Sequence, residues 1–295
     1  MVTFLGINLF GLSGQLLVGL INGSFYALLS LGLAIIFGLL KIINFAQGAL
    51  YMVGAFIAWM ALQYMGINYW AALIIVPLLV GVIGVLMERY LLRPIANEDH
   101  LYSLLLTFGI ALILQGAFTH GFGSSGLSYA IPAELKGGTK LPFMYLPNYR
   151  AWIIVASITV CFGTWWMIEK TKLGAYLRAG TENPQMMQAF GINVPLIVTL
   201  TFGFGVALAG LAGVMAAPVY AVSPEMGSNM LIVVFAIVVI GGMGSIGGAI
   251  LTGLGMGVVE GLTKYFYPEA STTIIFLVMV VVLLLKPAGL FGKEA

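Results

Sequence analysis

The chain has 295 residues, of which 61% are hydrophobic and only 7% charged, with a mean hydropathy of +1.09. Soluble domains carry about 25% charged residues, so this composition excludes a soluble globular fold and marks an integral membrane protein. The formal net charge of +2 is too small to indicate a nucleic-acid partner; in a membrane protein it is the position of each charge that informs, because it reports topology.

A helix needs roughly 20 apolar residues to cross the hydrocarbon core. On that ruler the predicted fold is all-α, a polytopic membrane bundle. About nine transmembrane helices fall near residues 11–40, 48–64, 69–91, 101–119, 151–168, 195–217, 229–243, 249–266 and 272–290. Residues 1–10 contain no basic side chain and resemble no cleaved leader, so the first span is expected to act as the insertion signal. That first run is long for one helix and is expected to tilt or break at Asn22-Gly23-Ser24. The seventh is short, and the glycine-rich stretch from Gly241 to Gly248 behind it is poor helix.

Placing the N-terminus outside leaves Lys41, Arg89, Arg93, Lys170, Lys172, Arg178, Lys286 and Lys293 on the cytoplasmic side, against Lys136, Lys140, Arg150 and Lys264 outside. The large external feature is then a Gly/Pro-rich loop at 120–150. A polar interruption at 169–195 lies inside. Within it Thr181 is expected to cap a short helix that begins at Pro184, and Gly191 to end it. A short helix lying on the inner membrane surface suits docking to a soluble partner.

Two sets of small residues recur every fourth position: Gly205, Ala209, Gly213 and Ala217, then Ala249, Gly253, Gly257 and Gly261. Such ridges let helix backbones approach closely in lipid. Among polar residues in or near spans, Asn22, Ser24, Asn44 and Gln47 are the candidates for a translocation pathway, since each must face protein or a wet cavity. Local helix-end bonding explains Asn44 and Gln47 equally well. Glu260 reads as the one carboxylate well inside a span, with Lys264 one turn later as its expected ion-pair partner.

No catalytic residue and no metal site are expected. A phosphate-binding Gly-x-x-x-x-Gly-Lys-Ser/Thr sequence is absent, so the chain should not hydrolyse ATP itself. His100 and His120 sit at loop edges, and Cys161 stands alone in an apolar run, where it reads as a small buried side chain. Ser245 in its glycine run has no histidine in any span to serve a protease.

Three groups of residues together resemble the LivH-type permeases, the membrane subunits of branched-chain amino acid ABC importers. They are Asn22-Gly23-Ser24-Phe25-Tyr26-Ala27-Leu28 with Gly38-Leu39-Leu40-Lys41-Ile42-Ile43-Asn44-Phe45-Ala46-Gln47-Gly48; Glu88-Arg89 with Arg93-Pro94; and Gly241 to Ala249 with Lys286-Pro287-Ala288-Gly289-Leu290-Phe291-Gly292. The resemblance covers essentially the whole chain as one permease domain, 1–295. It implies a bacterial inner-membrane location, with the C-terminus and the 169–195 loop cytoplasmic. It also implies a homologous second permease as heterodimer partner, two ATPase subunits that bind the ATP, a periplasmic solute-binding protein and surrounding lipid. No cofactor is implied for this chain. The 169–195 loop would hold the coupling helix, with Arg178, Glu182, Ala189, Gly191 and Ile192 meeting the ATPase. Asn183-Pro184 stands there where the family pattern has Ala-Ala, and Gln47 stands where it has His. The two permeases would meet through small-residue faces such as those above. The rival reading is an ion-coupled secondary transporter working without an ATPase.

Overall fold

In lipid a backbone has no water to bond, so a long apolar run satisfies its amides within a helix. In the computed structural model, which describes residues 3–4, 7–96, 98–141 and 144–292, each of the predicted runs coincides with a helix, although 229–243 and 272–290 extend past the ends of theirs, at Gly241 and Leu285. Lys293 lies outside the described residues. After a short antiparallel pair, β1 (Thr3–Phe4) and β2 (Ile7–Asn8), come α1 (Leu9–Leu40), α2 (Ala46–Met65), α3 (Tyr69–Met87) and α4 (His100–Phe122). The hairpin β3 (Gly138–Leu141) and β4 (Met144–Pro147) precedes α5 (Asn148–Lys170). Then follow α6 (Lys172–Glu182), α7 (Pro184–Ala189), α8 (Val194–Ala216), α9 (Met226–Gly241), α10 (Ile246–Phe266) and α11 (Thr273–Leu285). Among the described residues seven helical stretches are long and apolar enough to cross a membrane, while α9 and α11 are apolar but shorter. The chain is a multi-pass helical membrane protein.

The described residues form two compact units. One holds the chain up to Ser30, Ile131–Cys161 and the chain from Val233 onward; the other holds Leu31–Ala130 and Phe162–Ile232.

In the first unit, α1 and α10 meet backbone to backbone. A Cβ on Gly253 would sit 2.6 Å from Ala27 Cα, one on Gly261 would sit 3.0 Å from Gly19 Cα, and one on Gly23 would sit 3.2 Å from Gly257 Cα. The Ser30 hydroxyl donates to the Ala249 carbonyl at 3.1 Å. The expected break at Asn22-Gly23-Ser24 does not occur, because α1 is one continuous helix. Gly23 is the surface that α10 packs on, and the Ser24 hydroxyl bonds back to the Leu20 carbonyl at 2.8 Å. Gly242 and Gly244 adopt φ of +98° and +102° in the turn that ends α9, a conformation glycine takes without steric cost. Onto that turn the C-terminal motif folds back: Leu290 N–H donates to the Ile240 carbonyl at 2.8 Å and Phe291 N–H to that of Gly241 at 3.2 Å. Two glycine motifs far apart in sequence thus build one contact.

In the second unit, α8 packs along α2 and α3. A Cβ on Gly210 would meet Val80 Cβ at 2.8 Å, one on Gly213 would meet Ala55 N at 2.8 Å, and one on Gly205 would meet the Gly32 carbonyl at 2.9 Å. Ala209 between them is fully buried. Both small-residue ridges are therefore covered inside their own units. This corrects the expectation that they meet a second permease: a face already in backbone contact has no surface left to offer.

Candidate functional site

The 169–195 segment is two helices rather than one. Asn183 and Pro184 make the division: Asn183 Oδ1 accepts from Met186 N–H at 3.0 Å and Pro184 occupies the first turn of α7, an arrangement that starts a new helix. The departure from an Ala-Ala pattern thus has a structural consequence. Thr181 does not cap α7, correcting the sequence reading. It lies inside α6, its hydroxyl bonded to the Leu177 and Arg178 carbonyls, each at 3.0 Å. Gly191 takes φ +78° directly after the end of α7, and Ile192 N–H donates to the Met187 carbonyl at 3.1 Å.

α6 buries Gly174, Leu177 and Gly180 and turns Leu173 and Tyr176 outward. On α7 and its end, Met186 and Phe190 are exposed, Phe190 to 75%. Glu182, Ala189 and Gly191 are exposed too, and Ile192 is half-buried. Arg178 pairs with Glu169 at 3.4 Å on the surface, a link of about 0–1 kcal/mol. The segment is thus a pair of short helices presenting apolar side chains between polar ones.

The pathway candidates are hydrogen-bonded within the protein, Asn44 and Ser24 locally, Gln47 and Asn22 to other helices. Asn44 Oδ1 accepts from Ala46 N–H at 3.0 Å, its amide donates to Gln47 Oε1 at 3.2 Å, and Gln47 Nε2 donates to the Gly205 carbonyl at 3.0 Å. Both residues are buried, tying the start of α2 to α8. Asn22 Nδ2 donates to Glu260 Oε1 at 3.2 Å, and the Tyr26 hydroxyl donates to Glu260 Oε2 at 2.7 Å. The expected Glu260–Lys264 pair is not formed: among the described residues the one ion pair is Arg178–Glu169. Glu260 points across to α1, whose amide and hydroxyl lie closer than an exposed lysine on its own helix.

Sequence reasoning missed a second buried acid. Glu88, only 3% exposed, begins a π-helical turn (Glu88–Leu92) that continues α3, and its Oε2 accepts from the Thr199 hydroxyl on α8. The signal was present, since residue 88 lies in the predicted third span and meets the same criterion as Glu260. Ser245, the lone serine in a glycine run, is the N-cap of α10, accepting from Gly248 N–H at 3.0 Å.

Residues 15–283 match the family model described as branched-chain amino acid transport system / permease component. The chain is 32% identical to the high-affinity branched-chain amino acid transport system permease protein BraD of Pseudomonas aeruginosa, with 95% of each chain covered. It is 31% identical, over 95% of both chains, to the permease protein LivH of the corresponding Escherichia coli system. It is 27% identical to the Escherichia coli permease protein LivM, covering 90% of this chain and 67% of that one. No solved structure matches.

Proposed function

Since this chain belongs to the branched-chain amino acid transport permease family, we propose that it is the permease subunit of a binding-protein-dependent ABC importer for branched-chain or related amino acids. Its relatives include permeases of two kinds from one transport system, which supports a heterodimer with a homologous second permease, each forming half of the pathway. A periplasmic binding protein delivers the solute to the outer face, with the 120–150 loop as its landing surface. Two ATPase subunits bind the ATP and close beneath the membrane. The chain itself performs no reaction and holds no cofactor. It resides in the bacterial inner membrane with its C-terminus and the 169–195 segment in the cytoplasm, as the distribution of lysine and arginine favours.

The observation that carries this reading is the helix pair α6–α7. Exposed apolar residues on a short, doubly capped helix outside the spans need a partner surface, and a cleft in the ATPase supplies one. Arg178, Glu182, Ala189, Gly191 and Ile192 would transmit the push. The test is uptake into proteoliposomes of the assembled complex, with ATP inside and the proton gradient collapsed by an uncoupler. Continued, ATP-dependent uptake is expected. Uptake that needs the gradient and ignores ATP would instead establish an ion-coupled carrier.

A further inference from the structure

The end of α1, the end of α3 and the start of α4 surround a cavity of about 150 Å³ that neither the coupling helices nor the pathway candidates use. Glu88 lines it. Its carboxylate is almost completely buried, Thr199 is its one hydrogen-bond partner among the described residues, and none of their cations pairs with it. A buried carboxylate ordinarily has a cation or several donors beside it. The remaining oxygen, Oε1, accepts nothing from the described residues.

At the rim stand Lys41 and Arg93, both exposed and neither in an ion pair. Lys41 is also the one non-glycine residue, among those described, with positive φ, at +57°. It closes α1 by donating its N–H to the Phe37 carbonyl at 3.0 Å, a place where glycine is the unstrained choice. Strain of this kind gathers at sites where a side chain serves a purpose. Glu98 and His100 complete the rim, and Leu92 and Val198 contribute apolar wall.

The cavity therefore offers both signs of charge: the buried Glu88 for a cation and the exposed Lys41 and Arg93 for an anion, with Glu98 as a second, exposed acid. A volume near 150 Å³ is small beside the roughly 300–1,000 Å³ of pockets for drug-sized ligands. We propose that this cavity binds a small zwitterion, its primary ammonium on Glu88 and its oxyanion between Lys41 and Arg93. Two molecules carry that chemistry to this place: a free aliphatic amino acid, or the headgroup of an ethanolamine phospholipid. Leucine as the probe for the first rests on the proposed cargo class. Binding needs neither ATPase nor binding protein, so a failure here is distinguishable from a failure of the transport reading.

The full chain is purified in two ways. In phosphatidylcholine nanodiscs, binding of radiolabelled L-leucine is measured. From native membrane, retained phospholipid is identified by mass spectrometry. Lys41→Gly and Glu88→Gln are compared with the parent, and Lys41→Gly relieves the left-handed backbone, so its melting temperature should not fall. Loss of one charge-assisted contact should weaken binding by about tenfold or more. Saturable leucine binding that both variants lose identifies the free amino acid. Retained ethanolamine phospholipid that both variants lose, without leucine binding, identifies the headgroup. A parent that holds neither, or variants that hold either ligand as the parent does, would overturn the proposal.

Discussion

Replacing Gly257 by alanine adds one methyl group where α10 crosses α1, and the structure states what it would meet. The new Cβ falls against Gly23 Cα and N and the Gly19 carbonyl, all backbone, so no flexible side chain can yield. Overpacking costs about 1–3 kcal/mol, and a backbone obstacle puts this case in the upper part of that range. Helix propensity opposes it, favouring alanine over glycine by about 1 kcal/mol. The net expectation is a loss of about 1–2 kcal/mol. Gly255, two residues away on the same helix, is exposed and has nothing within 4 Å of a Cβ. Gly255→Ala should therefore gain about 1 kcal/mol, leaving the two variants about 2–3 kcal/mol apart. At about 2 °C or more per kcal/mol for a chain of this size, their melting temperatures in one detergent should differ by at least about 4 °C, with Gly257→Ala the lower. Equal melting temperatures would refute the close α1–α10 contact.

At Glu260, Gln keeps an acceptor for Tyr26 and should leave stability and uptake near the parent. Leu removes the acceptor from both Asn22 and Tyr26 and should cost about 2 kcal/mol or more. Lys264→Gln should change stability by less than about 0.5 kcal/mol, because Lys264 holds no ion pair; an effect as large as that of Glu260→Leu would restore the pairing read from sequence. In the 169–195 segment, Asn183→Ala should cost about 1 kcal/mol of local stability and, under the proposed coupling role, lower ATP-driven uptake, while Thr181→Ala should do neither, since its hydroxyl bonds only its own helix. The reverse order in an uptake assay would show that the cap is misassigned. Burial, with Tyr69 nearby, pushes the Tyr129 phenol in the 120–150 loop up to about 12. A free tyrosine titrates near pH 10, so the stability Tyr129 contributes is complete below about pH 10 and lost as pH rises toward about 12. Tyr129→Phe should flatten the fall in melting temperature across that window, and it also removes a buried hydroxyl that has no hydrogen-bond partner among the described residues.

Some of this protein was determined by sequence alone, for a reason that lies in the solvent. Lipid offers the backbone no bonds, so each run of about 20 apolar residues had to become a helix, and hydropathy located the seven long apolar helices among the described residues together with the shorter α9 and α11. Local chemistry was legible where it depends on neighbours in the chain. Gly191 ends α7 with φ +78° because few other residues adopt that conformation, and the glycine run breaks the helix at 242–245 as its composition implies, although Gly247 and Gly248 already belong to α10.

Pairings between distant residues were not legible. Glu260 has Lys264 one turn away in sequence, yet its bonds run to Asn22 and Tyr26 on α1, because antiparallel packing of α1 on α10 brings those donors closer. The spacing of small residues announced two close contacts without naming their partners, and only the tertiary structure shows that both ridges are consumed within the chain. Glu88 entered the sequence reading only through the family resemblance. Its burial against Thr199, and the cavity it shares with Lys41 and Arg93, arise where three helix ends converge, and convergence is a property of packing that no local pattern encodes.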